Sequence, residues 1–255
     1  MSDADLSDVS IDYIRSLAGY DLKPWVVCNN WKPEQGWAIS NYGGNNPSQL
    51  VADLAKHIEQ GGIPFVCVSG QKKKSQWGSQ NLEAHLQKQF PDKRILRIDR
   101  ESIADPEHPA YGCMAHLNEL LPQYDIVLAS PSVETGVSID CNHFTSVWGI
   151  FQGVQACDSV RQALARVRAN VPRYVWIRNT GFSRVANGST SIKALLASQH
   201  KLAQANVNLL IQAGFTDDVD TDFQPEALHC WAKKAALVNL GMTARVLSTD
   251  LSIPC

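Results

Sequence analysis

The sequence lacks the features that define several common classes of protein. Its seven cysteines, at positions 28, 67, 113, 141, 157, 230 and 255, include no CxxC pair. An odd, dispersed set argues against a disulfide framework or a zinc site and favours a reducing cytosol. No apolar run is long enough to cross a membrane, and the acidic start differs from a secretory signal. We therefore expect a cytoplasmic protein with no metal site and no membrane partner.

Glycine motifs that bind phosphate are also missing. Neither GxxxxGK[ST] nor GxGxxG occurs, and the nearest stretch, residues 70–75 (GQKKKS), lacks the second glycine and the spacing. Without such a loop, backbone N–H groups cannot surround the β- and γ-phosphates of a nucleotide. The chain alone is therefore predicted not to hydrolyse ATP. No Ser-His-Asp or Cys-His set is evident either, which leaves little support for a small-molecule α/β enzyme.

What the sequence does contain is a regular alternation of apolar runs and helical patterns from residue 63 onward. The predicted strands are 63–69, 94–98, 125–129, 145–151 and 174–178, and the predicted helices are 76–89, 112–121 and 158–169. Continuous apolar strands between helices indicate a parallel sheet covered on both faces. Functional loops of such sheets gather at the carboxyl ends of the strands, where Ser69, Asp99, Ser130 and residues 134–136 would lie.

The flanking regions follow a different pattern. Before residue 63, the sequence predicts a helix at 8–18, a short strand at 24–28, a hairpin near 37–40 and a helix from Pro47 to Glu59. After Gly181 only helical patterns remain, at 189–213 and 224–240. The predicted fold class is α/β, a parallel sheet flanked by helices, with a small C-terminal α-helical appendage.

Two segments carry most of the functional information. Residues 129–139 (ASPSVETGVSI) close a predicted strand and open a loop rich in hydroxyl groups, which can bind a nucleic-acid backbone without reading its sequence. Residues 162–168 (QALARVR) place a glutamine and two arginines on a predicted helix, with Gln162 and Arg166 on one face. The alternative interpretations are a serine-rich helix cap and a set of surface ion pairs.

These segments resemble motifs V and VI of superfamily 2 helicases. Motif V is matched by identity or by residue type at Ala129, Ser130, Glu134, Thr135, Val137, Ser138 and Ile139. In motif VI, Gln162 and Arg166 are in register, whereas Ala163 stands at an arginine position and Arg168 lies one residue before the final arginine. The strand 63–69 followed by Gln71 and Lys72 resembles motif IV of the same family.

The resemblance implies a domain organisation and a closer relationship. Residues 1–181 would be the second RecA-like lobe, with 1–20 the end of the preceding lobe or a linker helix, and 182–255 a C-terminal helical region. The segment Asp3-Ala4-Asp5 ahead of a helix resembles replication-protein helicases of cyanobacterial plasmids and herpesvirus origin-binding helicases. The implied function is that of one lobe of an ATP-dependent DNA helicase or translocase in a replication initiator.

The resemblance also implies roles for individual residues. Arg166 would be the arginine finger, with Arg168 as the second candidate. Gln162 would share the role of Arg166, and Glu134 would lie in a turn that faces the cleft between lobes; both would be catalytic residues. Nucleotide would contact Arg166 and Gly136. DNA, single-stranded or forked, would contact the set Ser69, Gln71, Lys72, Ser130 and Thr135.

The implied cofactors are ATP and Mg²⁺ in the full-length protein, neither of them held tightly by this chain alone. The implied protein partner is the N-terminal RecA-like lobe of the same polypeptide. A different class of function stays open: a non-catalytic RecA-like module that binds DNA or protein. The absence of a phosphate-binding loop from this sequence is compatible with both interpretations.

Overall fold

The computed structural model describes residues 8–18, 20–25, 27, 36–70, 75–130, 138–155, 157–179, 184–212 and 225–243. In chain order the main elements are α1 (Asp8–Leu17), β1 (Ile39–Tyr42), α2 (Ser48–Glu59), β2 (Pro64–Val68), α3 (Ser79–Gln89), β3 (Ile95–Ile98), α4 (Leu117–Leu120), β4 (Ile126–Ala129), β5 (Ser146–Phe151), α5 (Cys157–Ala165), β6 (Arg173–Ile177), α6 (Ile192–Gln212) and α7 (Pro225–Thr243). They form two compact units. One comprises the described residues within 31–181, and the other those within 1–30 and 182–244.

The larger unit is built on one sheet of six strands in the order β1-β6-β5-β2-β4-β3. Every neighbouring pair of strands is parallel. Helices cover both faces, because alternate side chains of each strand point to opposite sides and both sides are apolar. This architecture confirms the predicted fold class, a RecA-like α/β sheet with a C-terminal helical region.

Two apolar layers hold the sheet between its helices. On one face Val66, Leu128 and Trp148 belong to a buried cluster with residues of α2 and α3. On the other face Phe65 and Val147 belong to a second cluster, with residues of α4 and α5. All residues of β2, β4 and β5 are buried, so these three central strands anchor the unit and fix where their carboxyl ends lie.

The structure corrects several expectations about individual elements. Residues 39–42 form β1, a parallel edge strand paired with β6, and not part of a hairpin. Pro24, Trp25 and Val27 lie in no strand, and Trp25 is 92% exposed. The helix predicted at 112–121 is instead α4 with a short 3₁₀ turn on each side. Gly112 lies outside it with a left-handed φ of 60°, and the break falls at His116, whose φ of −134° and ψ of 31° are not helical.

The smaller unit is helical and contains α1, α6 and α7. A small cluster of Leu195, Ala232, Ala235 and Ala236 forms its apolar centre. Asn239 is buried, accepts a hydrogen bond from the Val185 N–H at 2.8 Å and donates to the Val185 and Ser189 carbonyls. Within the described parts of the chain, none of the helices combines the length and apolarity needed to cross a membrane. The assignment of residues 1–20 to a preceding lobe stays a prediction.

Candidate functional site

The carboxyl ends of the central strands place two of the predicted DNA contacts on neighbouring strands, one residue apart in register. Cys67 of β2 pairs with Ala129 of β4, so Ser69 and Ser130 follow on neighbouring strands. Adjacent strands lie about 4.8 Å apart. Both serines are largely buried, with 7% and 4% of their surface exposed. The structure therefore brings Ser69 and Ser130 to one edge of the sheet, and their role in binding DNA stays a prediction.

A hydrogen-bonded network links the end of β2 to Ser75, Ser79 and Gln152. The Gln152 backbone N–H donates to Ser69 Oγ at 2.8 Å, and Gln152 Nε2 donates to Ser75 Oγ at 2.9 Å. The Ser79 N–H donates to the Gly70 carbonyl at 2.9 Å. A Cβ on Gly70 would lie 2.9 Å from Ser75 Oγ, so a larger residue here would displace the hydroxyl that accepts from Gln152. The sequence alone did not single out Gln152. The only local indication of a role is that it is a polar residue directly after the apolar run of β5.

Asp99, at the end of β3, is a fully buried carboxylate in this same region. It accepts hydrogen bonds from Ser79 Oγ at 2.8 Å and from the Ser102 N–H at 2.9 Å, and it pairs with Arg97. Burial acts to raise the pKa of Asp99, but the hydrogen bonds from Ser102, Arg97 and Ser79 outweigh it and the pKa is lowered. Asp99 is thus an ionised anchor for the start of α3.

The two segments that resemble motifs V and VI are joined directly. Ile139 and Val167 form an isolated parallel β-bridge. The Ile139 N–H donates to the Arg166 carbonyl at 2.9 Å, and the Arg168 N–H donates to the Ile139 carbonyl at 3.0 Å. Ile139 ends the first segment, and Val167 lies between the two arginines of the second. The backbone pairing therefore holds residues 166–168, the arginine segment, against the end of the motif V-like segment.

The arginine segment is not helical, which corrects the expectation of a helix over 158–169. Helix α5 ends at Ala165, so Gln162 lies on the helix while Arg166 and Arg168 follow it. Arg168 is exposed, and its Nε donates to Ser138 Oγ at 3.2 Å. Ser138 Oγ in turn donates to Asp140 Oδ1 at 2.8 Å. Gln162 and Arg166 are half-buried.

Arg173, which sequence reasoning missed, binds the backbone around the arginine segment. It is the first residue of β6 and is fully buried. Its guanidinium donates to the carbonyls of Leu164, Val167, Ala169 and Val171, at 3.3, 2.7, 3.4 and 2.6 Å. The ring of Trp37 lies over its Cζ at 3.6 Å. The sequence offers one signal, an arginine at the head of an apolar strand.

Cys67 lies close to the same helix end. Its Sγ donates a weak hydrogen bond to the Ala163 carbonyl at 3.5 Å. Burial raises the pKa of the Cys67 thiol to about 12, against an opposing effect of the charges of Arg166 and Arg173. The thiol is therefore neutral at physiological pH and contributes packing, not a reactive thiolate. A Cβ on Gly149 would meet the Leu164 side chain at 3.1 Å, so this glycine lets α5 approach the sheet closely.

The strand edge and the arginine segment belong to different parts of the unit. In the register of the sheet, Arg173 is level with Val147 and Phe65. Ser69 follows Phe65 by four residues, or about 13 Å along a parallel strand. The residue that binds the arginine segment is thus well separated from the Ser69 end of the strands. The arrangement offers two contact regions joined by α5, with hydroxyl and amide groups at one and guanidinium groups at the other.

The remaining candidate residues lie outside the described part of the chain: Gln71, Lys72, Glu134, Thr135 and Gly136. Their predicted roles stay predictions. Among the described residues, no group of three or more His, Cys, Asp or Glu side chains has an arrangement suited to a metal ion. The candidate residues that the structure describes are therefore of two groups. Ser69 and Ser130 lie at the carboxyl ends of the strands, and Gln162, Arg166 and Arg168 lie on α5 and in the segment after it.

Comparison with known proteins gives limited further information. No family model matches the chain. An uncharacterized protein of Picosynechococcus sp. (strain ATCC 27264 / PCC 7002 / PR-6) is 44% identical over 247 residues, which are 94% of this chain and 25% of that protein. The chain thus spans about a quarter of the length of this relative.

A solved structure of Mycobacterium smegmatis helicase Lhr bound to ssDNA and AMP-PNP shares 14% identity with the chain. The match has a TM-score of 0.39 and covers 78% of this chain and 28% of that one. Likeness at this level is no evidence for shared chemistry. Function therefore has to be argued from the residues themselves.

Proposed function

We propose that residues 31–181 form the second RecA-like lobe of an ATP-dependent DNA helicase or translocase, of the type that serves plasmid or viral replication initiators. The observation that carries this proposal is the Ile139–Val167 bridge. It joins the ends of two segments that were paired on sequence grounds alone, and it presents an arginine on each side of Val167. A chance resemblance gives no reason for these two segments to meet.

Arg166 is the residue to which we assign the chemistry. The backbone of Arg166 is held by its pairing with Ile139. When an ATP-bearing lobe closes on this one, the Arg166 guanidinium would neutralise charge on the terminal phosphoryl group. Such an arginine is worth about 10³–10⁵ in rate in well-studied nucleotide hydrolases. Arg166, Gln162 and Arg168 carry N–H donors, which in this proposal would bind one terminal phosphoryl group. They do not replace the glycine-rich loop, so ATP and Mg²⁺ would be held chiefly by the other lobe.

DNA would bind at the carboxyl edge of the central strands. Ser69 and Ser130 supply hydroxyl groups there, and Gln152 supplies an amide next to Ser69. Hydroxyl and amide groups are common partners of phosphate oxygens and carry no base specificity. This suits a motor that moves along any sequence, and Lys72 and Thr135 are proposed to add further backbone contacts.

The complete protein provides the direct test. We expect Arg166→Ala to abolish DNA-stimulated ATP hydrolysis, because the transition state loses its neutralising charge, and to leave DNA affinity unchanged. Arg94→Ala is a matched control: Arg94 is an exposed arginine just before β3, at the opposite edge of the sheet, and pairs only loosely with Asp125 at 3.5 Å. ATPase rate and DNA affinity should be measured for both variants.

The outcomes separate the two classes of function. Loss of both activities in Arg166→Ala would contradict the role of a finger. Absence of DNA-stimulated hydrolysis from the wild-type full-length protein, with DNA or protein binding retained, would favour the non-catalytic module. The missing phosphate-binding loop is the one observation that supports this second candidate.

A further inference from the structure

We propose that Arg173 is a positioning residue that sets the orientation of Arg166 and so governs the rate of phosphoryl transfer. The inference rests on the proposed function, and it assigns Arg173 no contact with substrate. Its basis is that one buried guanidinium donates hydrogen bonds to carbonyl groups on both sides of Arg166. These carbonyls lie within residues 164–171, and each is within 3.4 Å of a guanidinium nitrogen.

The geometry matches what only an arginine can supply. A buried charge is costly unless its donors are satisfied, and here the donors are used on carbonyl groups at several angles. The planar guanidinium has five N–H donors in a fixed fork, whereas the lysine ammonium is a point charge with three. The shortest two contacts, to Val171 and Val167, are 2.6 and 2.7 Å. Lysine at this position could not hold both ends of the segment.

The anchor itself is rigid. The Arg173 N–H donates to the Ala38 carbonyl at 2.8 Å, and β6 is paired on one side with β1 and on the other with β5. The Trp37 ring covers the guanidinium at 3.6 Å from its centre, a cation–π contact that also restricts the side chain. The backbone of Arg173 is therefore held by the sheet, and Trp37 restricts its side chain from outside α5.

The position at which α5 ends therefore depends on Arg173. The guanidinium takes the Leu164 carbonyl near the last turn of the helix and the Val167 carbonyl in the extended segment beyond it. Val167 is thereby held in the conformation in which it pairs with Ile139. Arg166 lies between these two fixed points, so its direction depends on Arg173 without any contact between their side chains being needed.

Arg173→Lys in the full-length protein tests the inference. We expect kcat for DNA-stimulated ATP hydrolysis to fall roughly 10- to 100-fold, the order expected when a catalytic group is misplaced by about 1 Å. The KM for ATP and the affinity for DNA should stay unchanged. Val175→Ala is the matched control for lost stability, because Val175 is fully buried two residues further along the same strand. The kcat values of Arg173→Lys and Val175→Ala should be compared at a temperature well below the melting temperature of either variant.

A double-variant cycle separates positioning from a general structural role. If Arg173 acts through Arg166, its effect should largely disappear once Arg166 is changed. Adding Arg173→Lys to a protein that already carries Arg166→Lys should therefore lower kcat by less than threefold. Independent, multiplicative losses would overturn the proposal, and so would a wild-type kcat in Arg173→Lys. Should Arg173→Lys fail to fold, Trp37→Leu removes the ring and keeps the arginine. A lowered kcat is then expected, and an unchanged kcat overturns the proposal.

Failure of the inference is distinguishable from failure of the proposed function. Full activity in both Arg166→Ala and Arg166→Lys would reject the arginine finger itself. Loss of activity in those variants, with full activity in Arg173→Lys, would reject only the positioning role.

Discussion

Asp99 and Arg173 each carry a charge in a position with no exposure to solvent. Such groups are tolerated only where hydrogen bonds replace the lost water, and here each binds backbone groups of a neighbouring segment. Asp99 holds the loop after β3 and, through Ser79, the start of α3. At the scale of single residues, Asp99 fixes the start of α3 and Arg173 fixes the backbone of the arginine segment.

Asp99→Asn should destabilise the protein at neutral pH. The substitution keeps the shape but removes the charge that pairs with Arg97; because Arg97 also pairs with Glu83 at 2.7 Å, we expect a cost of about 1–3 kcal/mol. The pKa of Asp99 is lowered in the folded protein, so its contribution is present above the unfolded value of about 3.9 and is lost as pH falls through the folded value. The difference in free energy of unfolding between wild type and variant should therefore narrow only below about pH 4.

Urea denaturation at several pH values measures this difference. Asp92→Asn is the control, because Asp92 is an exposed aspartate in the turn before β3. A stability difference for Asp99→Asn that stayed constant from pH 7 to pH 3 would show that the charge of Asp99 is not what stabilises the fold.

The elements differ in how well sequence predicts them. Every residue of β2, β4 and β5 is buried, and strands β2 to β6 were all predicted from their apolar runs. The edge strand β1 was not, since Ile39–Tyr42 has only a polar, half-exposed pattern and becomes a strand by pairing with residues 173–176, far along the chain. A strand defined by a distant partner leaves little local signal.

The candidate site was predictable in part for the same reason. Ser69 and Ser130 directly follow apolar runs, so a periodicity argument places them at a sheet edge. The end of α5 is set instead by Arg173, whose side chain returns to the helix from the next strand. Helical periodicity continues past Ala165 in the sequence, whereas in the structure the residues beyond it bind Arg173 and pair with Ile139. The non-helical backbone conformation of Arg166 and Arg168 could not be predicted from the local sequence pattern.

The turn between α2 and β2 gives a prediction at the scale of elements. A Cβ on Gly62 would lie 2.2 Å from the His57 ring, so Gly62→Ala must displace this side chain. His57 Nε2 lies 2.8 Å from Ser146 Oγ and 3.0 Å from Thr145 Oγ1, and it thereby ties the end of α2 to the start of β5. We expect Gly62→Ala to destabilise the protein by about 1–3 kcal/mol, the usual cost of overpacking.

Thermal or urea unfolding of Gly62→Ala measures that cost. Gly43→Ala is a matched control, because a Cβ there has no atom within 4 Å and Gly43 is not among the glycines with positive φ. Equal stability of the two variants would mean that His57 moves aside freely and that the link between α2 and β5 contributes little.

At the scale of the whole molecule, charge and motif content limit what the chain can do by itself. The net charge of −2 gives no general attraction to nucleic acid, so binding has to come from a local set such as residues 72–74 and the strand edge. The sequence also contains no phosphate-binding loop. In the proposed function this chain is therefore one half of a catalytic site and one part of a DNA-binding surface.

The isolated chain should accordingly bind single-stranded DNA weakly and hydrolyse no ATP. If one to three lysines neutralise phosphates, the slope of log K against log salt concentration should lie between about −0.7 and −2, at roughly −0.7 for each phosphate. Fluorescence anisotropy across a salt series measures the slope, and a variant with Lys72, Lys73 and Lys74 changed to alanine should flatten it. A steep slope that survives this change would place the DNA on another surface. ATP hydrolysis by the isolated chain, if lost in Arg166→Ala, would mean that a single lobe suffices for catalysis.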